Sequence, residues 1–99
     1  MKPETRFRVN QVIPFLKELK NTSYFPIQQL SILGDADFIL CCNGGFVWLE
    51  LKDIKESLRP LQEYKASWVV RTGGVAIKAD PDNWEEVKLF LQQLNKGIL

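Results

Sequence analysis

A chain of 99 residues, 45% hydrophobic and 25% charged, holds one core rather than two and lies far from the disordered range of composition. Its formal charge of +1 argues against a strongly basic nucleic-acid module. With no His and no CxxC pair a structural zinc site is not expected, and no apolar run nears the roughly 20 residues of a membrane span.

The start, MKPETRFR, does not read as a signal peptide, and the two cysteines, Cys41 and Cys42, are sequence neighbours. Strand neighbours point to opposite faces, so two buried thiols are expected rather than a disulfide, in a reduced cytoplasmic setting. Charge is uneven along the chain. Residues 80–99 carry four acidic and two basic groups, a net of −2, which leaves +3 for the preceding 79 residues. If some of the acids among those 79 bind divalent metal, the surface a phosphate backbone meets is more positive still.

The first predicted element is a helix over about residues 3–20, with Phe7, Val12, Phe15, Leu16 and Leu19 along one stripe. Pro14 deletes the bond to the carbonyl four residues back, which predicts a kink or break there. Asn21-Thr22-Ser23 is a loop, and residues 24–30 read as a strand whose Pro26 suits a sheet edge. Residues 38–41 and 46–49 are strand-like runs separated by Cys42-Asn43-Gly44-Gly45. Asn-Gly is the strongest short hairpin signal, because a type I′ turn needs positive φ at both central residues. Both faces of these runs are apolar, which predicts a hairpin inside the sheet and covered on each side.

Ser57-Leu58-Arg59-Pro60 starts a second helix, with Leu61, Tyr64 and Trp68 toward the core and Gly73-Gly74 as its stop. Residues 75–79 form a short strand. Asp80-Pro81 then caps a last helix with Trp84, Val87, Leu91 and Leu94 as its apolar stripe. The order helix, three strands, helix, strand, helix predicts one α/β domain over residues 1–99, a sheet flanked by helices.

With Asn43 and Gly44 at the turn, the register places Asp37 opposite Glu50 and Asp35 opposite Lys52, all four on one face. A four-residue loop on the same centre keeps this register; a three-residue loop breaks it. Directly opposed carboxylates have Cβ atoms roughly 5 Å apart and repel each other. A divalent cation removes that penalty, and carboxylate oxygens are the ligands Mg²⁺ or Mn²⁺ prefers. Lys52, two residues beyond Glu50, sets a positive charge beside such an ion. The combination suits phosphodiester hydrolysis, with Lys52 orienting or deprotonating the attacking water. An E-x-K triplet alone reads as the end of a solvated strand; its pairing with Asp37 through the hairpin is what gives it weight.

Three spaced segments then resemble a known family. Gly34-Asp35-Ala36-Asp37-Phe38-Ile39-Leu40, Phe46-Val47-Trp48-Leu49-Glu50-Leu51-Lys52 and Leu58-Arg59-Pro60-Leu61-Gln62 look like the virus-type replication-repair nuclease (VRR-NUC) domain of the PD-(D/E)xK nuclease superfamily. Gly74-Val75-Ala76 also fits, and the likeness covers roughly residues 4–79. Ala36 stands where the family usually has Pro, and Arg59 comes one place before Pro60; neither departure removes a functional group. The resemblance implies a restriction-endonuclease-like α-β-β-β-α-β core with a mixed sheet, extended here by the C-terminal helix. It implies catalytic roles for Asp37, Glu50, Lys52 and Gln62, with Glu4 completing a metal shell beside Asp37 and Glu50. Glu4 otherwise reads as a solvated acid in a first helical turn, and Gln62 as an exposed helix-start residue. Gln28 or Gln29 is a candidate to line the cleft, and Lys55 and Arg59, which flank the site, are candidates to hold DNA phosphates.

The expected activity is that of a Mg²⁺- or Mn²⁺-dependent DNA endonuclease, in a bacterial or phage-infected cell. Free-standing short members of the family it resembles act as homodimers on four-way junctions, and two-fold symmetry suits two opposed cuts. Tyr24, Phe25, Trp68, Phe90 and the Gly97-Ile98-Leu99 tail are surplus apolar groups for such an interface. The alternatives are a flap or nicking nuclease and, from another class, a catalytically silent DNA-binding module.

Overall fold

A computed structural model describes residues 2–27 and 36–97. The chain begins with helix α1 (Pro3–Phe7), passes through a π-helical turn (Arg8–Val12) and continues as α2 (Ile13–Glu18). Pro14 explains the wide turn. Its ring cannot join an ordinary α-helical ladder, and the Ile13 N–H donates to the Arg8 carbonyl, five residues back. The expected kink is thus taken up as a π turn, with helical backbone on both sides of it.

Strands β1 (Thr22–Pro26), β2 (Phe38–Cys42), β3 (Gly45–Leu51) and β4 (Val75–Ala79) form one sheet in the order β1-β2-β3-β4. The first three are antiparallel and β4 runs parallel to β3, so the sheet is mixed. A parallel neighbour needs a crossover, and helix α3 (Pro60–Arg71) provides it. Helix α4 (Trp84–Asn95) follows β4. The fold is α/β, with helices packed on a four-stranded mixed sheet.

The hairpin follows the residues that announced it. Asn43 and Gly44 have φ of 51° and 84°, and the register pairs Phe38 with Leu49, Leu40 with Val47 and Cys42 with Gly45. On one face Phe38, Leu40, Cys42, Val47, Leu49 and Leu51 are buried, together with Phe7, Val12 and Leu16 of the first helical segment and Val87 and Leu91 of α4. Each large side chain removed from water there contributes about 1.5–3 kcal/mol. Trp84 joins the two helical elements, meeting the rings of Phe7 and Phe15 edge-on at 5.4 Å from each.

Four expectations are corrected by the packing. The opposite sheet face is only partly covered: Cys41 is exposed, Phe46 is 48% exposed, and only Cys42 is a buried thiol. Leu61, Tyr64 and Trp68 do not face the core; they are 42%, 56% and 56% exposed. Gln62 is the buried residue of α3, with Val69 partly covered. Apolar residues lie all around this helix, so periodicity did not select a face. The last helix starts at Trp84, because the Asp80 carboxylate instead accepts the N–H groups of Asp82 and Asn83 and stabilises a turn. The first strand covers residues 22–26 rather than starting at 24, and what was expected of residues 28–30 lies outside the described residues.

Gly73 and Gly74 end α3 as expected. Gly73 has φ of 99°, its N–H donates to the Val70 carbonyl, and the Gly74 N–H donates to the Val69 carbonyl at 2.9 Å. A Cβ at Gly74 would lie 2.8 Å from Val69 Cγ1 and 3.1 Å from the Phe46 ring. Gly74→Ala is therefore expected to lower stability by about 1–3 kcal/mol. A urea midpoint equal to that of the parent would show that the helix end relaxes freely. No helix among the described residues is long and apolar enough to cross a membrane.

Candidate active site

The regular ladder between β2 and β3 ends at Phe38–Leu49. One residue earlier, the Asp37 side chain takes over from the main chain: Oδ2 accepts the Leu51 N–H at 2.8 Å. The Asp37 carbonyl accepts the Ile27 N–H at 2.9 Å, so Asp37 is tied to the strands on both sides of it. The hairpin register sets Glu50 opposite it, and the Asp37 charge acts on the Glu50 carboxyl.

Charged groups are seldom buried unless paired. Here Glu50, Lys52 and Gln62 are only 6%, 4% and 8% exposed, and they meet at one point. Lys52 Nζ lies 3.7 Å from Glu50 Oε2, and Gln62 Nε2 donates to the same oxygen at 2.8 Å. The other end of the Gln62 carboxamide accepts the Arg59 N–H at 2.9 Å. Gln62 is the third residue of α3, the position from which a Gln side chain reaches back to the helix start. One side chain thus closes the helix end and aims its NH₂ at Glu50.

Burial, reinforced by Asp37, pushes the Glu50 carboxyl up to about 8, against the opposing pull of Lys52 and Gln62. The ion pair does not reverse this, because 3.7 Å is well beyond the length of a charge-assisted hydrogen bond. Two facing carboxylates repel each other, and a cation beside them removes that penalty.

Glu4 of α1 is half-buried, and its carboxyl is raised first by burial and then by Asp37, with Glu56 and Asp53 adding and Lys52 opposing. It stands within the field of the site. Arg8, one turn along the same helical face, was not anticipated. Its guanidinium lies 3.7 Å from Asp37 Oδ1 and 4.6 Å from the centre of the Phe38 ring. The available signal was the four-residue spacing of Glu4 and Arg8, which stacks them on one face of a helix.

Lys55 and Arg59 are exposed along the segment that joins Lys52 to Gln62. Lys55 has φ of 67°, in a turn closed by the Glu56 N–H donating to the Asp53 carbonyl. Lys78 is paired with Glu50 in the parallel register, yet its amine donates to the Glu56 carbonyl at 2.8 Å and lies 3.9 Å from Asp80. Among the described residues, Lys52 is therefore the cation paired with Glu50. Gln28, Gln29 and Asp35 lie outside the described residues, and with them the expected opposition of Asp35 to Lys52.

Among the described residues no group of three His, Cys, Asp or Glu side chains is gathered for one ion. The two donors that do meet, Asp37 and Glu50, fit a hard divalent cation. Their mutual repulsion is what raises Glu50 beyond the effect of burial, and Mg²⁺ is commonly held by only one or two carboxylates with several waters.

Compared with known proteins, the chain matches no family model, no curated protein and no solved structure.

Proposed function

We propose that this chain is a Mg²⁺- or Mn²⁺-dependent, structure-specific DNA endonuclease with a restriction-endonuclease-like core of the VRR-NUC type. The observation that carries the reading is a buried carboxyl, Glu50, facing the half-buried Asp37, with Lys52 Nζ at 3.7 Å and a carboxamide held on Glu50 at 2.8 Å. A solvated strand end has no reason to bury an acid, an amine and an amide against one another, since each costs desolvation energy.

In this reading Asp37 and Glu50 hold the divalent ion, which supplies Lewis acidity and charge neutralisation at the scissile phosphate. Lys52 contributes a fixed positive charge toward the negative charge that develops on phosphorus oxygens in the transition state, and it orients the attacking water. Gln62 positions Glu50, and Arg8 steadies Asp37 from the opposite side. Lys55 and Arg59 contact phosphates of the flanking backbone, and they set position without reading sequence.

Four-way junctions cut by a two-fold homodimer are the substrate that the sequence resemblance favours. A flap nuclease is the second reading, and it has an observation of its own: an exposed aromatic groove begins two residues from Glu50, at Trp48. The deciding experiment incubates the purified protein with linear, nicked, flap and four-way-junction DNA in EDTA, Mg²⁺ or Mn²⁺, with mass measured by light scattering. Cleavage of branched DNA is expected only with metal, by a particle of about twice the 11.4 kDa chain mass. A monomer that cuts flaps and spares junctions would promote the second reading. DNA binding without cleavage under every metal condition would leave a silent binding module.

A further inference from the structure

The sheet face that carries Glu50 and Lys52 continues along β3 as Trp48 and Phe46, the alternate positions of the strand, and on β2 as Ile39. Helix α3 runs above this face and leaves a groove of about 790 Å³, walled by Tyr64 and Trp68 on the helix side. Phe46, Tyr64 and Trp68 are each about half exposed, at 48%, 56% and 56%. The Tyr64 and Trp68 rings lie 6.4 Å apart, centre to centre. Among the described residues the groove is lined by one charged residue, Lys65, and by no acid. Arg71, three residues after Trp68 on the same side of the helix, is also exposed.

We infer that this groove binds a single strand of nucleic acid by stacking its unpaired bases on Trp68, Tyr64 and Phe46. The inference rests on the nuclease reading and adds the form of the substrate that enters the site. Three features select this occupant. Aromatic faces stack on any base, so a wall of rings suits an unpaired strand whose base faces are free, whereas a duplex hides them. Lys65 in the lining and Arg71 beside it favour a polyanion over a neutral or basic peptide surface. The groove is also continuous with the site: Trp48 precedes Glu50 by two residues on the same face, and Tyr64 follows Gln62 by two on the same helix. A strand lying along the groove therefore reaches the Asp37–Glu50 pair at its end, while a second protein subunit seated there would crowd the entrance.

The chain supplies its own reporter. Of the three tryptophans, Trp48 is 4% and Trp84 2% exposed, so accessible emission comes from Trp68. Oligo-dT of about twelve nucleotides is titrated into the full chain in EDTA, where no cleavage competes, and binding is read by Trp quenching and by anisotropy of labelled DNA. Quenching of the Trp68 emission is expected, with several-fold weaker binding of a blunt duplex of equal charge. Trp68→Ala and Tyr64→Ala should each weaken oligo-dT binding about tenfold, with melting temperatures close to the parent because both rings are about half exposed and outside the core. Unchanged emission on oligo-dT binding would overturn the inference. So would a dimer that Trp68→Ala converts to monomers without loss of oligo-dT affinity, since the rings would then be a subunit contact. Because the readout is binding without metal, a chain that stacks oligo-dT but never cleaves would sink the nuclease reading and leave the groove standing.

Discussion

Lys52→Met is expected to fold, to bind divalent metal and DNA, and to cleave about 10³-fold more slowly than the parent chain. The loss corresponds to about 4 kcal/mol of transition-state stabilisation, the upper part of the range for removing one preorganised electrostatic group. Lys52 is only 4% exposed, so methionine is the informative replacement: it keeps the apolar stem and removes only the ammonium group. The Lys52 backbone N–H donates to the Ala79 carbonyl at 2.9 Å, and that bond survives any side-chain change. Single-turnover cleavage at saturating Mn²⁺ isolates the chemical step from binding. A rate within tenfold of the parent would remove Lys52 from the mechanism.

The second large effect is on stability against pH in metal-free protein. The Glu50 carboxyl stands at about 8 in the folded chain against an ordinary 4.5, raised mainly by burial and then by Asp37. Between those two values the folded chain holds a proton that the unfolded chain has released. Stability from this group is therefore fully present below pH 4.5 and is lost as pH rises to about 8. The full effect is on the order of 5 kcal/mol. Glu4 is also raised and acts in the same direction. Glu50→Gln should remove the Glu50 contribution, leaving a variant more stable than the parent at pH 8.5 and similar to it at pH 5. Its carboxamide oxygen can still accept from Gln62 Nε2. Millimolar Mn²⁺ should stabilise the parent more strongly at pH 8.5 than at pH 6, since only the ionised pair binds the ion, and should do little for Glu50→Gln. Urea unfolding across this range in EDTA checks the slope. Parallel curves for parent and variant would mean that Glu50 is not the group in question.

Much of the site's framework was determined locally, by the sequence itself. Asn43-Gly44 demands two positive φ angles, this selects a two-residue turn, and the turn sets a register that carries Asp37 to Glu50. Alternation along the strand then puts Glu50 and Lys52 on one face whatever else the chain does. The same locality made Pro60 a helix start and Gly73-Gly74 a helix end, because missing donors and left-handed φ are properties of single residues. Which side of α3 meets the sheet was decided only in three dimensions. That helix carries Leu61, Tyr64, Ala66, Trp68, Val69 and Val70 around its circumference, so hydrophobic periodicity alone favours no face. The crossover from β3 to β4 and the closure of the helix end by Gln62 selected one, burying the carboxamide against Glu50 and turning Tyr64 and Trp68 to solvent. The Arg8 contact with Asp37 and the raised Glu50 carboxyl likewise depend on distances between segments far apart in the chain. Spacing along the chain can align such groups, but only packing brings them within a few ångströms and takes them out of water.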